Sequence, residues 1–216
     1  LFSMDMTQLV KAPTNITEFT IPDGVTDICG YAFQNSTSLI TINIPSSVID
    51  IDVYAFQGCT GLKTVTFSNN SKLTTIGDYA FNGCTALQSV KLPDSGTLVN
   101  LGWYAFSDSF INEAGSINIP SSVTEISVAL FKDSTNLSVV SFDEGSKLQT
   151  IDNIAFQGCS SLSVLDIPNT VTTLGSGCFQ GTGLKSFCAW TNLWSGKTVN
   201  SFNKDASAGE ASMFSG

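Results

Sequence analysis

Apolar residues fall into columns along this chain rather than into long runs. A phenylalanine recurs at Phe33, Phe56, Phe81, Phe106, Phe131, Phe156 and Phe179, with spacings of 23, 25, 25, 25, 25 and 23 residues. In five of the seven copies alanine precedes it (Ala32, Ala55, Ala80, Ala105, Ala155); Leu130 and Cys178 take that place in the others. Five positions upstream stand Ile28, Ile51, Ile76, Leu101, Ile126, Ile151 and Leu174. Eight positions upstream stand Val25, Val48, Leu73, Leu98, Val123, Leu148 and Val171. Downstream comes a leucine followed by two alternating apolar residues, as in Leu39, Ile42, Ile44 and in Leu62, Val65, Phe67, with a half-copy at Ile16, Phe19 and Ile21. A fixed period of this length is the signature of a stacked repeat, in which no single copy can bury its own apolar side.

Each part of the repeat predicts an element. Alternation over a few β-branched or aromatic residues, closed by Pro22, Pro45, Pro93, Pro120 or Pro168, predicts a short strand ending at a turn, because proline cannot donate to a ladder. The A-F-x-G-C-x-x-L stretch spaces its apolar residues as a single helical or 3₁₀ turn would, and glycine at Gly58, Gly83, Gly158 and Gly181 lets the chain bend out. One repeat thus reads as strand, turn, V-x-x-I segment and short helical turn. Stacked, the copies give an α/β repeat solenoid, right-handed, with a parallel β-sheet on one face and short helical turns on the other.

Length differences between copies mark insertions at Ser68 to Ser71, Asp94 to Thr97 and Asp143 to Ser146 after the strand, and at Ser107 to Ala114 after the fourth phenylalanine. Both kinds are expected as loops outside the core. The fourth copy also lacks its leucine and offers Phe110, Ile111 and Ala114 instead, which predicts a local bulge. Residues 1–216 read as one domain: an N-terminal cap over 1–15 that covers the first rung with Leu9, Val10 and Pro13, repeats and half-repeats over 16–187, and a cap and tail over 188–216 in which Trp190, Leu193 and Trp194 close the last rung.

The strand with its proline, the V-x-x-I segment and the A-F-x-G-C-x-x-L turn together resemble the BspA-type leucine-rich repeats of bacterial and protozoan surface proteins, over about Ile16 to Phe187. The resemblance implies an extracellular or cell-surface location and adhesion to host proteins or neighbouring cells. A fold does not choose its ligand, so the partner stays an extracellular protein or glycan.

Composition narrows the chemistry. Nine lysines against eighteen acidic residues leave a net charge of −9, with no arginine and no histidine. An acidic chain without arginine is a poor binder of nucleic acid, and one without histidine cannot assemble the usual nucleophile pairs or histidine metal sites. The chain is therefore read as a non-enzyme with no cofactor, no metal and no membrane insertion, and as a monomer.

Of six cysteines, Cys59, Cys84 and Cys159 share one column that elsewhere holds Ser36, Ser109, Ser134 and Thr182, which predicts a small buried residue rather than a bridge. Cys59 with Cys84, and Cys178 with Cys188, are the pairs that could approach. Asp50 and Asp52 flank the inward Ile51 and point away from the core, where they could share a hard cation or form a solvated acidic edge, with no pocket expected around them. The outward strand positions form a polar, hydroxyl-rich ribbon: Glu18, Thr20, Thr41, Asn43, Thr64, Thr66, Ser89, Lys91, Ser116, Asn118, Ser141 and Asp166. That ribbon either contacts the partner or keeps the sheet soluble. The alternative function is a rigid structural spacer that presents another domain of a larger surface protein.

Overall fold

Every copy of the repeat makes one turn of chain, and successive turns pair in parallel. A computed structural model describes residues 1–13 and 15–184 together with the backbone of Cys188 and Ala189. Strands are numbered β1 to β16 in chain order. The longer ones, β2 (Glu18–Thr20), β4 (Thr41–Ile44), β6 (Thr64–Phe67), β8 (Ser89–Lys91), β10 (Gly115–Ile119) and β12 (Leu137–Phe142), form a six-stranded sheet in the order β12-β10-β8-β6-β4-β2. In register, Ile42 lies beside Phe19 and Val65, so the inward column of one rung stacks on that of the next. β14 (Asp166–Ile167) pairs with β16 (Cys188–Ala189) as a separate continuation.

Between strand and V-x-x-I segment the proline carbonyl accepts the amide of the valine three residues on, at 3.3 Å in Pro22–Val25 and 3.1 Å in Pro45–Val48, Pro120–Val123 and Pro168–Val171. The chain turns there and enters a second set of strands that the sequence pattern did not reveal. These are β1 (Gln8–Leu9), β3 (Asp27–Ile28), β5 (Asp50–Ile51), β7 (Thr75–Ile76) and β9 (Asn100–Leu101), one parallel sheet, followed by a three-stranded sheet of β11 (Glu125–Ile126), β13 (Thr150–Ile151) and β15 (Thr173–Leu174). Two residues are too few for alternation to announce a strand.

The third segment of each turn corrects the sequence reading: the described residues contain no helix, so the fold is a parallel β-solenoid of leucine-rich-repeat type rather than an α/β one. In the first rung the amides of Ala32, Gln34 and Ser36 donate three residues back, to Cys29, Tyr31 and Phe33, at 2.9–3.2 Å. Those of Tyr31, Phe33 and Asn35 instead point along the solenoid, to the carbonyls of Val53, Ala55 and Gln57 at 3.3, 2.7 and 2.8 Å. Alternate donors thus serve alternate directions, which an α-helix cannot do because all its amides run along its own axis. Reaching this arrangement needs left-handed backbone at two columns. Tyr31, Tyr54, Tyr79, Tyr104, Ala129 and Ile154 have φ of 50–61°, and Asn35, Gly58, Gly83, Asp108, Asp133 and Gly158 have φ of 53–76°. The glycines read as bend points therefore serve a third hydrogen-bonded wall.

Inside these walls the phenylalanine column forms one continuous stack of rings, each no more than 1% exposed. Burying such a ring contributes roughly 1.5–3 kcal/mol. The small-residue column beside it has a more specific task than size. The thiols of Cys59, Cys84 and Cys159 donate to the carbonyls of Phe33, Phe56 and Phe131 on the preceding rung at 3.1–3.3 Å, and the hydroxyls of Ser109 and Ser134 do the same for Phe81 and Phe106 at 2.8 and 2.9 Å. Cys29, Cys59, Cys84, Cys159 and Cys178 are free thiols, as expected for the small-residue column of Cys59, Cys84 and Cys159, and neither pair that could approach is bridged; the Cys188 side chain lies outside the described residues.

Insertions after the strands are exposed at their tips, as at Asn69 and Asn70, Asp94 to Thr97, and Glu144 and Gly145. The insertion at Ser107 to Ala114 does not stay outside the core: Phe110 turns in and is fully buried, its ring centroid 6.4 Å from that of Phe106. It packs against the backbone of Gly115 so closely that a Cβ there would lie 2.4 Å from its Cδ1. The expected bulge follows, as a register shift between Gly115 and Ser116.

At the N-terminal end β1 pairs with β3 and buries Leu9, while the Ala12 amide caps the Ala32 carbonyl at 2.9 Å. Val10 is 43% exposed and takes no part in covering the rung. The expected closure at Trp190, Leu193 and Trp194 and the tail from Lys204 lie outside the described residues.

Candidate interaction surfaces

The polar ribbon assembles as two columns on the outer face of the six-stranded sheet. One runs through the register partners Glu18, Thr41, Thr64, Ser89 and Ser116, the other through Thr20, Asn43, Thr66, Lys91, Asn118 and Ser141. Asp166 sits apart, on β14. Much of this polarity is spent between rungs. Thr66 Oγ1 donates to Asn43 Oδ1 at 3.0 Å, Ser141 Oγ to Asn118 Oδ1 at 2.7 Å, and Asn118 Nδ2 to Asp143 Oδ1 at 2.8 Å. The columns therefore form an ordered hydroxyl–amide lattice, bordered at its rear by Val139 and Val164, 53% and 63% exposed.

A second surface was not foreseen. An open groove of about 650 Å³ crosses the outer face of β3, β5, β7 and β9 and reaches Thr124, Glu125 and Ser127 at the start of the following sheet. It is lined by Asp27, Asp50, Asp52 and Asp78 and overlooked by Trp103, so the expectation that nothing builds a pocket around Asp50 and Asp52 does not hold. Asp27 and Asp50 are register partners on adjacent strands. Burial, then the Asp27 and Asp52 charges, hold the Cys29 thiol above its ordinary value. A shared cation finds no cage here: among the described residues no three Asp, Glu or Cys side chains converge on a metal position. The groove also lacks the enclosure that paired-carboxylate hydrolysis relies on, being open to solvent beside an exposed Asp52.

Two further ladders went unread although their spacing matches that of the phenylalanines. Tyr31, Tyr54, Tyr79 and Tyr104 stack with ring centroids 5.1, 5.0 and 4.9 Å apart and interplanar angles of 12°, 11° and 2°. Gln34 Nε2 donates to Gln57 Oε1 at 2.8 Å, Gln57 Nε2 to Asn82 Oδ1 at 3.3 Å, and Gln157 to Gln180. The inner tyrosines spend both ring faces on each other, so they offer hydroxyl edges and no stacking platform for a sugar.

Comparison with known proteins agrees with this architecture. A family profile described as a BspA type leucine rich repeat region matches in six copies over residues 11–138 and 97–204. Among solved structures the chain is similar to a leucine rich cell surface protein of Faecalibacterium prausnitzii, at 25% identity and a TM-score of 0.74 over 89% of this chain and 52% of that one. It is similar to a leucine rich repeat protein of T. pallidum, at 28% identity and a TM-score of 0.71 over 83% and 84% of the two chains. It also resembles the pneumococcal vaccine antigen PcpA, at 30% identity and a TM-score of 0.50 over 83% of this chain and 42% of that one. The chain thus spans about half the length of the Faecalibacterium protein. No match is found among curated proteins.

Proposed function

The chain belongs to the BspA-type leucine-rich repeat family, and from that premise we propose that it is a non-enzymatic interaction module of an exported or cell-surface protein, binding an extracellular protein or glycan through the outer face of its six-stranded sheet. The observation that supports this most is the register itself: two polar columns side by side, one over five strands and one over six, a wide, regular surface of the kind solenoids use for binding. Similarity to a cell surface protein and to a pneumococcal antigen supports the location. In this reading the chain acts as a monomer and as one domain, since the six-stranded sheet runs from β2 to β12 without a linker.

A binding screen of the whole chain against immobilised matrix proteins and a glycan array tests the proposal. The expected result is a ligand that is retained by the native chain and lost when Asn43, Thr66, Lys91 and Asn118 are changed together to alanine in a protein that still melts cooperatively. A ligand that the substituted protein binds equally well overturns the ribbon assignment. Silence across the whole panel favours the second reading, a rigid spacer, for which the unbroken hydrogen bonding between rungs is the supporting observation.

A further inference from the structure

The groove over β3, β5, β7 and β9 carries an inference of its own, independent of the ribbon. No element among the described residues covers this sheet face, and Trp103 stands over it 57% exposed with its backbone amide fixed to Asp78 Oδ1 at 2.7 Å. Val99 beside it is 45% exposed. An indole and an aliphatic chain left in water on an otherwise polar surface are the usual mark of a contact site.

The charge of the groove is of one sign. Asp27, Asp50, Asp52, Asp78 and Glu125 line it and no lysine does; among the described residues the only ion pair, Lys132–Asp133, lies elsewhere. Each aspartate is held by one local donor: Thr26 on Asp27 at 2.6 Å, Thr74 on Asp50 at 2.9 Å, and the amides of Val53 and Trp103 on Asp52 and Asp78 at 2.7 Å. The charges are therefore fixed in place without being neutralised. Asp27 and Asp50 oppose each other on neighbouring strands, about 4.8 Å apart by sheet geometry, an arrangement that costs stability.

The spread of these charges selects the occupant. Because no three of the described carboxylates converge, one metal ion cannot answer them. A chain bearing several separated cations can, and its ammonium or guanidinium groups also suit the face of Trp103. We propose that the groove docks an extended lysine- or arginine-rich segment of a partner protein, lying across the rungs with one cation over Trp103 and others against Asp27, Asp50, Asp52 and Asp78.

Fluorescence anisotropy of a labelled peptide of alternating lysine and serine, titrated with the whole chain, tests this. Binding is expected at low ionic strength and weakens as salt is raised. Changing Asp27, Asp50, Asp52 and Asp78 together to asparagine should weaken it at least about tenfold while leaving the melting temperature unchanged or higher. Trp103→Ala should weaken it roughly threefold. A control that neutralises Asp23, Asp94, Glu113 and Glu144 removes as much charge from exposed positions elsewhere and should retain most of the binding. No binding by the native chain at low salt, or equal loss in the control and groove variants, overturns the proposal, the latter by assigning the attraction to the diffuse field of the acidic chain. Neither result bears on the ribbon, whose four-residue variant should bind the peptide normally.

Discussion

The first four rungs and the last three are built from the same repeat and pack differently. In the front half successive phenylalanine rings lie 4.7, 4.9 and 5.2 Å apart and within 8° of parallel. From Phe106 onward the separations are 5.9, 5.2 and 5.7 Å and the angles 23°, 20° and 15°. The tyrosine ladder ends at Tyr104, and the short-strand sheet ends at β9 and restarts at β11. All three changes meet at the insertion of Ser107 to Ala114, where Phe110 enters the core. The long-strand wall passes the same point intact: β10 pairs with β8 in continuous register, and the irregularity lies against β12, where Ser138 is the extra residue opposite the step from Gly115 to Ser116. The short-strand wall does not, since β9 and β11 belong to separate sheets. One buried ring in an unusual place thus divides a regular stack, and the acidic groove lies across the division.

The largest test of this contrast uses the ring stack. Phe81→Ala should cost near the upper end of about 3–5 kcal/mol and Phe156→Ala near the lower end, since the front rings are in closer and flatter contact. Urea denaturation of both variants measures it, and a rear substitution as costly as the front one would break the comparison.

Buried thiols should not distinguish the halves. Burial raises Cys84 well above its ordinary value in front and Cys178 to about 12 behind. For such a group both folded and unfolded states are protonated below the ordinary thiol value of 9.0, so no stability is lost there. Above it the unfolded chain ionises first, and stability falls between pH 9 and about 12. Thermal melts across that range should show the decline, and Cys84→Ser and Cys178→Ser should each flatten it.

The smallest expected effect concerns the left-handed column. Tyr79 at φ 56° has a ring on either side, whereas Ile154 at φ 50° is β-branched and has none. Tyr79→Gly should lose about 1 kcal/mol, the stacking outweighing the relief of strain, and Ile154→Gly should stay within about 0.5 kcal/mol of the native chain or exceed it. Loss of equal stability in both would show that the tyrosines contribute nothing beyond filling the position.

What was legible in the sequence followed from periodicity. The columns headed by Val25, Ile28, Phe33 and Leu39 are buried as read, save for a partly buried Leu174, and the strands that meet a proline end within two residues of it. The A-F-x-G-C-x-x-L stretch misled because apolar residues spaced three apart suit an α-turn and a chain of overlapping β-turns alike. Tyr31, Tyr54, Tyr79 and Tyr104 were visible as a column at the phenylalanine spacing, but their stacking depends on how far one rung rises above the last.

By itself, then, the sequence determined that the chain stacks, which residues face inward, and where insertions interrupt the repeat, because burial of apolar side chains is imposed copy by copy. Tertiary structure alone decided where the backbone donors point. Amides that satisfy a neighbouring rung rather than their own turn, an Asp27 that comes to face Asp50, and a Phe110 that turns inward from an inserted loop are all products of contacts between residues about one repeat apart or outside the repeat altogether. No local pattern encodes those contacts, since their energies exist only once the rungs are stacked.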